Sequence, residues 1–474
     1  MRATVRGTAA KVAGASVLLL PALTVMGQTG AIGLPPDGQI TIANVVDDAQ
    51  RNYPSIHISA EDLNASVANI RLARTAYLPR VDGLAQFNRA TRNNVFGTLL
   101  PQSTIPSMSG PVIGSNNGGS VWGSATGLLV TWQPFDFGVR HANVQAAIAA
   151  HSKALATDQL TQLQVGVASA DAYLTLLAAS QMKMAAQAAV DSWETLRQSV
   201  HALAEAELRP RADESRVEAE KAAAKTQLAL AEEAVETSRA TLNKFLTKLS
   251  PDTAPATGRL LSGLPLLPEE GAPFTSSTNP ALVEQQAAAS QASAQLHAIN
   301  HSWVPQFNLE AAGYARGTGA ETNGDRLGGA NGLAPNYGNY ALGVNITFPF
   351  MDFASIHARE ASQAALVRAT TANEQLVDRT IKEQFATARA ELHASQAIAG
   401  NTPTELKAAQ TALAQATARY KAGLSPIDDV AQTQRLLVQA EIDDAIARLN
   451  VWRAFLHLQF ARGDLQPFLQ EANR

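Results

Sequence analysis

The strongest constraint on how this chain folds is a set of sequence marks that occurs twice in the same order. Pro54 and Pro280 lie 226 positions apart, and Pro79 and Pro305 keep the same spacing. Later marks repeat at a spacing of 216, in the pairs Asp136 and Asp352, Pro210 and Pro426, and Asp213 and Asp429. Several matches in one order indicate an internal duplication. The change of spacing places one insertion between Pro79 and Asp136, where the chain is rich in Gly, Ser and Asn.

Each half has the same predicted order of elements. A helix at 55–77 or 280–303 ends before a proline, because proline disfavours helical geometry at the residue before it. Two segments of period-2 alternation follow, and the clearest is Tyr340–Phe348, in which large apolar residues alternate with small or polar ones. Such alternation predicts a strand with one apolar face. Loops rich in Gly, Asn, Ser and Pro separate the strands at about 92–121 and 317–337.

Two very long helices are predicted after the strands, since proline is nearly absent there. Helices over 138–207 and 354–421 would be roughly 105 Å and 102 Å long at 1.5 Å per residue. Pro403 predicts a local kink in the second. Shorter helices return at 212–246 and 427–461, so each half is predicted to be a strand pair joined to a long helical hairpin.

The segments that flank these helices also contain residues that predict their local structure. Asp136 and Asp352 directly precede the long helices and are well placed as N-caps. The segment 247–279 is rich in Pro, Gly and Ser, and is predicted to be an irregular insertion halfway along the helical part.

The first residues predict export from the cytoplasm. Three basic residues precede the apolar run Val12–Met26, and small residues follow it, as in a cleaved signal peptide at 1–31. A retained N-terminal anchor is the alternative, although the run is shorter than the roughly 20 residues a spanning helix needs. No other segment looks long and apolar enough to span a bilayer as a helix. The net charge of −4 gives no reason to expect a nucleic-acid partner, and the absence of Cys excludes disulfides and lipid-modified cysteine.

The strands favour a membrane β-barrel, which needs one face for lipid and one for water. Aromatic residues cluster where the strands meet the helices, as in an interfacial girdle: Tyr77, Trp132, Phe135, Phe137, Trp303, Phe348, Phe350 and Phe353. A soluble β-sandwich packed on helices is the alternative. A closed barrel takes about eight strands or more, so four strands per chain predict an oligomer.

The chain resembles the TolC-like outer-membrane efflux proteins over essentially its whole mature length. The marks are the helix-to-strand prolines, the strand ends at Asp136 and Asp352, and the tip motif Tyr420–Val430. The resemblance implies a mainly α fold with membrane β, in which a homotrimer forms one 12-stranded β-barrel in outer-membrane lipid, continuous with an α-helical coiled-coil barrel across the periplasm. It implies a passive exit duct that docks through a periplasmic adaptor protein to an inner-membrane pump. The chain then divides into a signal peptide at 1–31, a first repeat at 41–246, an equatorial insertion at 247–279, a second repeat at 280–464 and a C-terminal tail at 465–474.

The resemblance also implies where the duct closes. Tyr420 matches a position that holds the entrance closed through inter-helix hydrogen bonds, and Asp429 and Asp213 match acidic ring positions at the narrowest point. Where some relatives have an Arg in the second tip this chain has Ser425, and where a second acidic ring residue would fall it has Gln432. Arg209 or Arg211, on the first tip, is a candidate replacement for the missing cation. Alternatively, the two aspartates only occupy the first turn of a helix, where negative charge is favourable.

The hairpin tips are also the implied adaptor contact. Gly423, Leu424 and Ser425 resemble the short tip motif that adaptor hairpins grip, and Leu208 lies in the degenerate twin of that motif. Gly423 has a second explanation, because helix C-termini favour glycine.

Catalytic signatures are missing from the sequence. It contains no Gly-x-Ser-x-Gly elbow, no nucleotide-binding loop and no His-Glu-x-x-His motif, so neither an enzyme nor a cofactor is expected. His297 and His301 have metal-ligand spacing, but no third ligand is suggested, so no metal site is expected. Small-molecule efflux is the predicted role. The alternatives are type I protein secretion, a non-channel periplasmic coiled-coil protein and an unrecognised hydrolase.

Overall fold

The structure, a computed structural model, describes residues 39–91, 120–247, 254–266, 274–319, 321 and 325–474. The predicted signal peptide at 1–31 and nearly all of the predicted loop at 92–121 lie outside these residues. The helices are α1 (Ile42–Asn52), α2 (Pro54–Thr75), α3 (Val139–Glu205), α4 (Arg211–Asn243), α5 (Gly258–Ser262), α6 (Pro280–Asn300), α7 (Phe353–Lys421), α8 (Ile427–Arg462) and α9 (Gln466–Ala472). The strands are β1 (Gln39–Ile40), β2 (Arg80–Thr91), β3 (Ser120–Trp132), β4 (Ala254–Pro255), β5 (Gln306–Thr318) and β6 (Tyr337–Thr347).

The two long helices agree closely with the sequence prediction. They contain 67 and 69 residues, which corresponds to roughly 100 Å each at 1.5 Å per residue. The second is continuous through Pro403, so the proline does not end it. The helix α3 packs against α4, and α7 against α8, so each long helix forms an antiparallel hairpin with its shorter return helix.

Beyond the N-terminal run, no segment was expected to be apolar enough to span a membrane as a helix, but one stretch of α3 is. By length and composition α3 could cross a membrane, although 61% of its most apolar window is buried inside the chain. Burial of that kind is typical of a core helix.

The four long strands form one antiparallel sheet in the order β2-β3-β5-β6. Within it, β3 pairs with β5 from Gly123↔Thr318 to Trp132↔Leu309, so the sheet joins the two halves of the chain. The alternation predicted for β6 is confirmed, because Tyr340, Leu342, Val344 and Ile346 are all more than half exposed. One edge of β2 and one edge of β6 have no partner strand within the described residues.

The main core lies halfway along the helical part, where α1, α3 and α8 pack together with α5 and α9. Tyr173 of α3 is fully buried there, and its hydroxyl lies 2.9 Å and 2.8 Å from the carbonyl oxygens of Ile40 and Ala256. The described part of the 247–279 insertion is less irregular than predicted, because β4 pairs in parallel with β1 and α5 packs on α8. The tail at 465–474 contains α9, whose Phe468 is fully buried, so it belongs to this core.

Candidate functional site

The two long hairpins end in tips of the same backbone design. At each tip the long helix closes in a Schellman turn, in which the two amides after the helix donate back to its last turn. The hydrogen bonds are Leu208 N–H to Leu203 O (2.9 Å) and Glu207 N–H to Ala204 O (3.1 Å) in the first tip, and Leu424 N–H to Arg419 O (2.9 Å) and Gly423 N–H to Tyr420 O (3.0 Å) in the second. This turn requires a left-handed residue, which is Gly423 (φ 80°) in the second tip but Glu207 (φ 52°) in the first.

The tips expose apolar side chains. Leu208 and Leu424 are 70% and 72% exposed, although the residue at this position of a Schellman turn commonly packs back on its own helix. Arg211 begins α4 and is also exposed. Ser425 is buried instead, and its hydroxyl has no hydrogen-bond partner among the described residues.

Tyr420 is the central residue of the site. It lies in the last turn of α7 and is only 1% exposed, because it packs in an apolar cluster with Val200, Val217, Ile427 and Val430. These neighbours come from both hairpins, so the ring is packed between them. The cluster holds the phenol in one position next to the first hairpin.

The Tyr420 hydroxyl donates a hydrogen bond to the carboxylate of Asp213 over 2.9 Å. This bond links the end of α7 to the first turn of α4, and therefore the second hairpin to the first. Burial, together with the hydrogen bond and negative charge of Asp213, raises the pKa of Tyr420 above its ordinary value. The phenol therefore stays a protonated donor throughout the physiological pH range.

Arg209 provides the second link between the tips. Its guanidinium donates to the carbonyl oxygen of Tyr420, and its central carbon lies 4.3 Å from the centroid of the Tyr420 ring. A cation over the face of an aromatic ring is attracted by the ring's quadrupole. Of the two arginines considered from the sequence, the structure thus brings Arg209, and not the exposed Arg211, to the tyrosine.

The two aspartates that share the 216 spacing have different surroundings. Asp213 is half-buried and accepts from Tyr420, whereas Asp429 is exposed on α8. Gln432, one turn further along α8, is exposed as well. Asp213 and Asp429, which are equivalent in the duplicated sequence, therefore differ in burial and in hydrogen bonding.

Two ion pairs between the hairpins were missed by sequence reasoning. Arg216 on α4 lies 3.0 Å from Asp428 on α8, and Arg435 on α8 forms a two-bonded pair with Glu220 on α4. Their partners lie more than 200 residues apart, so no local spacing could reveal them. Together with Arg209, Asp213 and Tyr420, they make a polar seam between the hairpins.

A second polar cluster lies where the sheet meets the helices. Arg140 is buried, contacts Asp136 at 2.8 Å, donates to the carbonyl oxygen of Ala76 and lies over the Tyr77 ring. Asp136 also accepts from the backbone N–H of Arg140 at 2.6 Å, so it caps α3, although Gly138 occupies the formal N-cap position. Asp352 is at the N-cap of α7 but makes no side-chain capping bond, so the predicted capping role is wrong for it.

Metal ligation has no support in the described residues. His297 and His301 are in edge-to-face contact, with ring centroids 4.3 Å apart. Within the part of the chain that the structure describes, no group of three or more His, Asp or Glu could hold a metal ion.

Comparison with solved structures places this architecture among outer-membrane channels. CusC, whose crystal structures describe transmembrane channel formation, aligns with a TM-score of 0.74 at 13% identity, over 89% of this chain and 92% of CusC. The Campylobacter jejuni CmeC outer membrane channel aligns with a TM-score of 0.70 at 14% identity, over 91% and 89% of the two chains. The Neisseria gonorrhoeae MtrE outer membrane channel, solved in its open state, aligns with a TM-score of 0.69 at 19% identity, over 89% of each chain.

Family membership follows from the sequence. None of the curated proteins compared with the chain matches it. Residues 45–247 and 275–464, which include both hairpins and the sheet, match the family described as outer membrane efflux protein. The chain therefore belongs to the outer membrane efflux protein family and is an outer-membrane exit duct of an efflux system.

Proposed function

We propose that three copies of this chain form a passive duct for small molecules, with one shared β-barrel in the outer membrane and one α-helical barrel in the periplasm. The observation that carries this proposal is the four-stranded sheet, whose β2 and β6 edges lack partner strands in the described chain. Unpaired edges at membrane depth are not tolerated, so the sheet must close with other copies. Three copies would supply twelve strands, above the roughly eight needed for a closed barrel.

The two faces of the sheet support lipid outside and water inside. Leu342 and Val344 of β6 are exposed on the same face as Val81 of β2 and Leu128 of β3, which is the proposed lipid face. The opposite face of β6 presents Asn339 and Asn345, which suits a wet interior. The aromatic residues at the ends of the strands, such as Trp132 and Phe348, are partly exposed and suit the interface.

The duplication supports the barrel geometry. We infer two repeats, 41–246 and 280–464, separated by an insertion at 247–279. Their long helices have 67 and 69 residues, and their return helices have 33 and 36. Hairpins of matched length from three chains would end at one depth and form a single entrance.

The entrance is proposed to lie at the tips. Tyr420, bonded to Asp213, would hold it closed, and Asp429 would supply a ring of three carboxylates to the pore. Arg211, exposed at the start of α4, would be the nearby cation that limits the negative potential of that ring. A ring of carboxylates in a narrow pore attracts cations and repels anions.

The same tips are proposed to contact a periplasmic adaptor, which links the duct to an inner-membrane pump. Leu208 and Leu424 are the exposed apolar anchors, and Gly423 and Ser425 shape the second tip around Leu424. The duct itself is proposed to be non-catalytic, so the energy and the choice of cargo come from the pump.

Planar-bilayer conductance tests the duct. Purified protein should run as a trimer after chemical cross-linking and should produce discrete conductance steps. Folded trimers without conductance would contradict the duct and favour a structural coiled-coil protein. Replacing both Leu208 and Leu424 with Ser should abolish adaptor binding without changing the conductance of the isolated trimer.

A further inference from the structure

A single charged side chain, that of Arg89 on β2, lies on the proposed lipid face of the sheet. Side chains alternate between the two faces of a strand, so the register of the sheet assigns each position to one face. All other side chains that the structure describes on this face are uncharged. A charge on the lipid face of a barrel is costly at the middle of the membrane, and the cost is small near the interfaces. The depth of Arg89 therefore decides whether it can serve as a binding group.

Two tryptophans of β3 mark that depth. Trp132 lies at the end of the strand next to the helices, and Trp122 lies ten residues away on the same face. Ten residues span about 34 Å along a strand, which is roughly 25 Å of height at the tilt of about 40° found in membrane barrels. The apolar band of such barrels has this height and is flanked by aromatic residues on both sides. Arg89 is the register partner of Trp122, so both lie near the outer interface of the membrane.

Arg89 and Trp122 form an ordered pair. The central carbon of the guanidinium lies 5.2 Å from the centroid of the Trp122 ring, and the Nε–H donates to the Ser120 hydroxyl over 2.9 Å. Trp122 is fixed from its other side, because Gly319 N–H donates to its carbonyl oxygen over 2.9 Å. Within the described part of the chain, no carboxylate pairs with Arg89. The terminal amino groups of this exposed guanidinium can therefore bind an anion.

The second hairpin of the sheet does not repeat the pair. The residues 226 positions after Arg89 and 216 positions after Trp122 are Ala315 and Gly338, which also lie opposite each other. The strands pair there without the two large side chains, so pairing of the strands does not require them. A trimer would carry three such pairs, one on each chain.

We propose that Arg89 and Trp122 bind a phosphate group of the glycolipid in the outer leaflet, which is the lipid A part of lipopolysaccharide. The planar guanidinium can donate two parallel hydrogen bonds to a phosphate, and such charge-assisted bonds are strong. The indole ring suits the boundary between acyl chains and a polar head group. This inference rests on the proposed trimeric barrel and adds a lipid that the barrel binds.

Native mass spectrometry of detergent-solubilised trimers tests the site, with purified bis-phosphorylated lipid A as the probe. Wild-type trimers should retain up to three lipid A molecules. Arg89→Gln should weaken lipid A binding by roughly tenfold or more, since it removes charge-assisted hydrogen bonds, and Arg89→Lys should weaken it less. Arg80→Gln is the matched control, because Arg80 is an exposed arginine on the opposite face of the same strand, and this variant should bind as the wild type does.

Two further lipids identify the group that is bound. Dephosphorylated lipid A and phosphatidylethanolamine should each bind equally weakly to wild type and Arg89→Gln. Equal affinity of the two proteins for bis-phosphorylated lipid A, or retention of either of the other lipids as strong as that of bis-phosphorylated lipid A, would overturn the proposal. Wild-type trimers that conduct but retain no lipid A would contradict this site alone, whereas chains that neither trimerise nor conduct would contradict the duct on which it rests.

Transfer of the pair to the second hairpin gives an independent check. Ala315→Arg combined with Gly338→Trp places the same two groups at the equivalent position, and a β-carbon added at Gly338 has no atom within 4 Å among the described residues. The double variant should retain up to six lipid A molecules per trimer. Folded double-variant trimers that retain no more than three would show that such a pair does not bind the lipid.

Discussion

At the scale of single residues, the two hairpin tips form the same backbone turn with different residues at its left-handed position. Both Schellman turns need a left-handed residue, and glycine adopts that conformation without steric cost. Glu207 adopts it with a β-carbon, which costs of order 1 kcal/mol or more. The strain therefore lies in the first tip and not in the second.

Glycine substitution should relieve this strain. Glu207→Gly is expected to stabilise the protein by about 1 kcal/mol, since φ is 52° at this position. Gly423→Ala is the matched control and should destabilise by about the same amount, because the nearest atom to an added β-carbon is 4.0 Å away and only the backbone is strained. Urea unfolding of the detergent-solubilised protein measures both, and shifts of the same sign at the two positions would contradict the account.

The Tyr420 hydroxyl is the second residue-scale test. Tyr420→Phe keeps the packed ring and its contact with Arg209 but removes the bond to Asp213, which is worth about 1.5–3 kcal/mol when the acceptor is charged. The variant should conduct more than the wild type in planar bilayers. Tyr53→Phe, in the core halfway along the helices, is the control and should not change conductance.

The pH dependence of this bond follows from the raised pKa of Tyr420. Its protonated form is stabilised in the folded state, so its contribution is fully present below the unfolded tyrosine pKa of about 10. The contribution is lost only as the pH rises through the higher folded pKa. Conductance should therefore show no tyrosine-dependent change between neutral pH and about pH 9.

At the scale of elements, the starts of the two long helices differ in the same way as the tips. Burial works to raise the pKa of Asp136, but hydrogen bonds from the side chain and backbone of Arg140 outweigh it, so the pKa lies below its ordinary value. Asp352, at the equivalent place, has no capping bond, and the residue equivalent to Arg140 is the uncharged Ile356. Only the first junction is fixed by a buried charge pair.

A pair of asparagine substitutions separates the two junctions. Asp136→Asn should lower stability by about 2 kcal/mol at neutral pH, because it weakens charged hydrogen bonds and leaves Arg140 buried without its counter-charge. Asp352→Asn should change stability by less than about 0.5 kcal/mol. The melting temperature of each variant measures the effect.

At acidic pH, the wild type and the Asp136→Asn variant should have the same melting temperature. Since the folded pKa is lowered, the contribution of the carboxylate is present above the unfolded pKa of about 4. It is lost as the pH falls through the folded pKa. A gap in melting temperature that persists unchanged well below that pKa would contradict a role for the charge.

At the scale of the whole molecule, the proposed acidic ring forms only when three copies assemble. Asp429 is exposed in one chain, and it would act on transport only where three copies face one pore. Asp429→Ala should reduce the block of conductance by multivalent cations added on the periplasmic side, because it removes three carboxylates from the entrance. Asp428→Ala, on the neighbouring residue that pairs with Arg216, is the control, and equal loss of block in both variants would argue against a specific ring.

Much of the architecture was predictable because its causes are local. The strands β5 and β6 were visible as period-2 alternation, and the helices ended near the prolines that cannot continue them. The helix α7 runs through Pro403, as predicted, and the hydroxyl of the neighbouring Thr402 donates to the Asp444 carboxylate of α8 over 3.0 Å. The regular part of the 247–279 insertion escaped prediction, since β4 and α5 are short and depend on contacts with β1 and α8.

The candidate site was only half predictable. Tyr420, Asp213 and the leucines of the tips could be named before the structure, because the tip motif resembles that of the TolC-like family. The choice of Arg209 over Arg211, the pairing of Arg216 with Asp428, and the difference between Asp213 and Asp429 could not. Each depends on which faces of two hairpins meet, and no pattern within one helix contains that information.

By itself, the sequence determined that the chain is duplicated, which long segments are helix and strand, and that one face of its strands is apolar. These follow from periodicity and from proline, which act between near neighbours along the chain. The tertiary structure alone decided that the two halves share one sheet through β3 and β5, and that a hydrogen bond from Tyr420 to Asp213 joins the two hairpins. Contacts between residues about 200 positions apart depend on helix packing, so they exist only after the chain has folded.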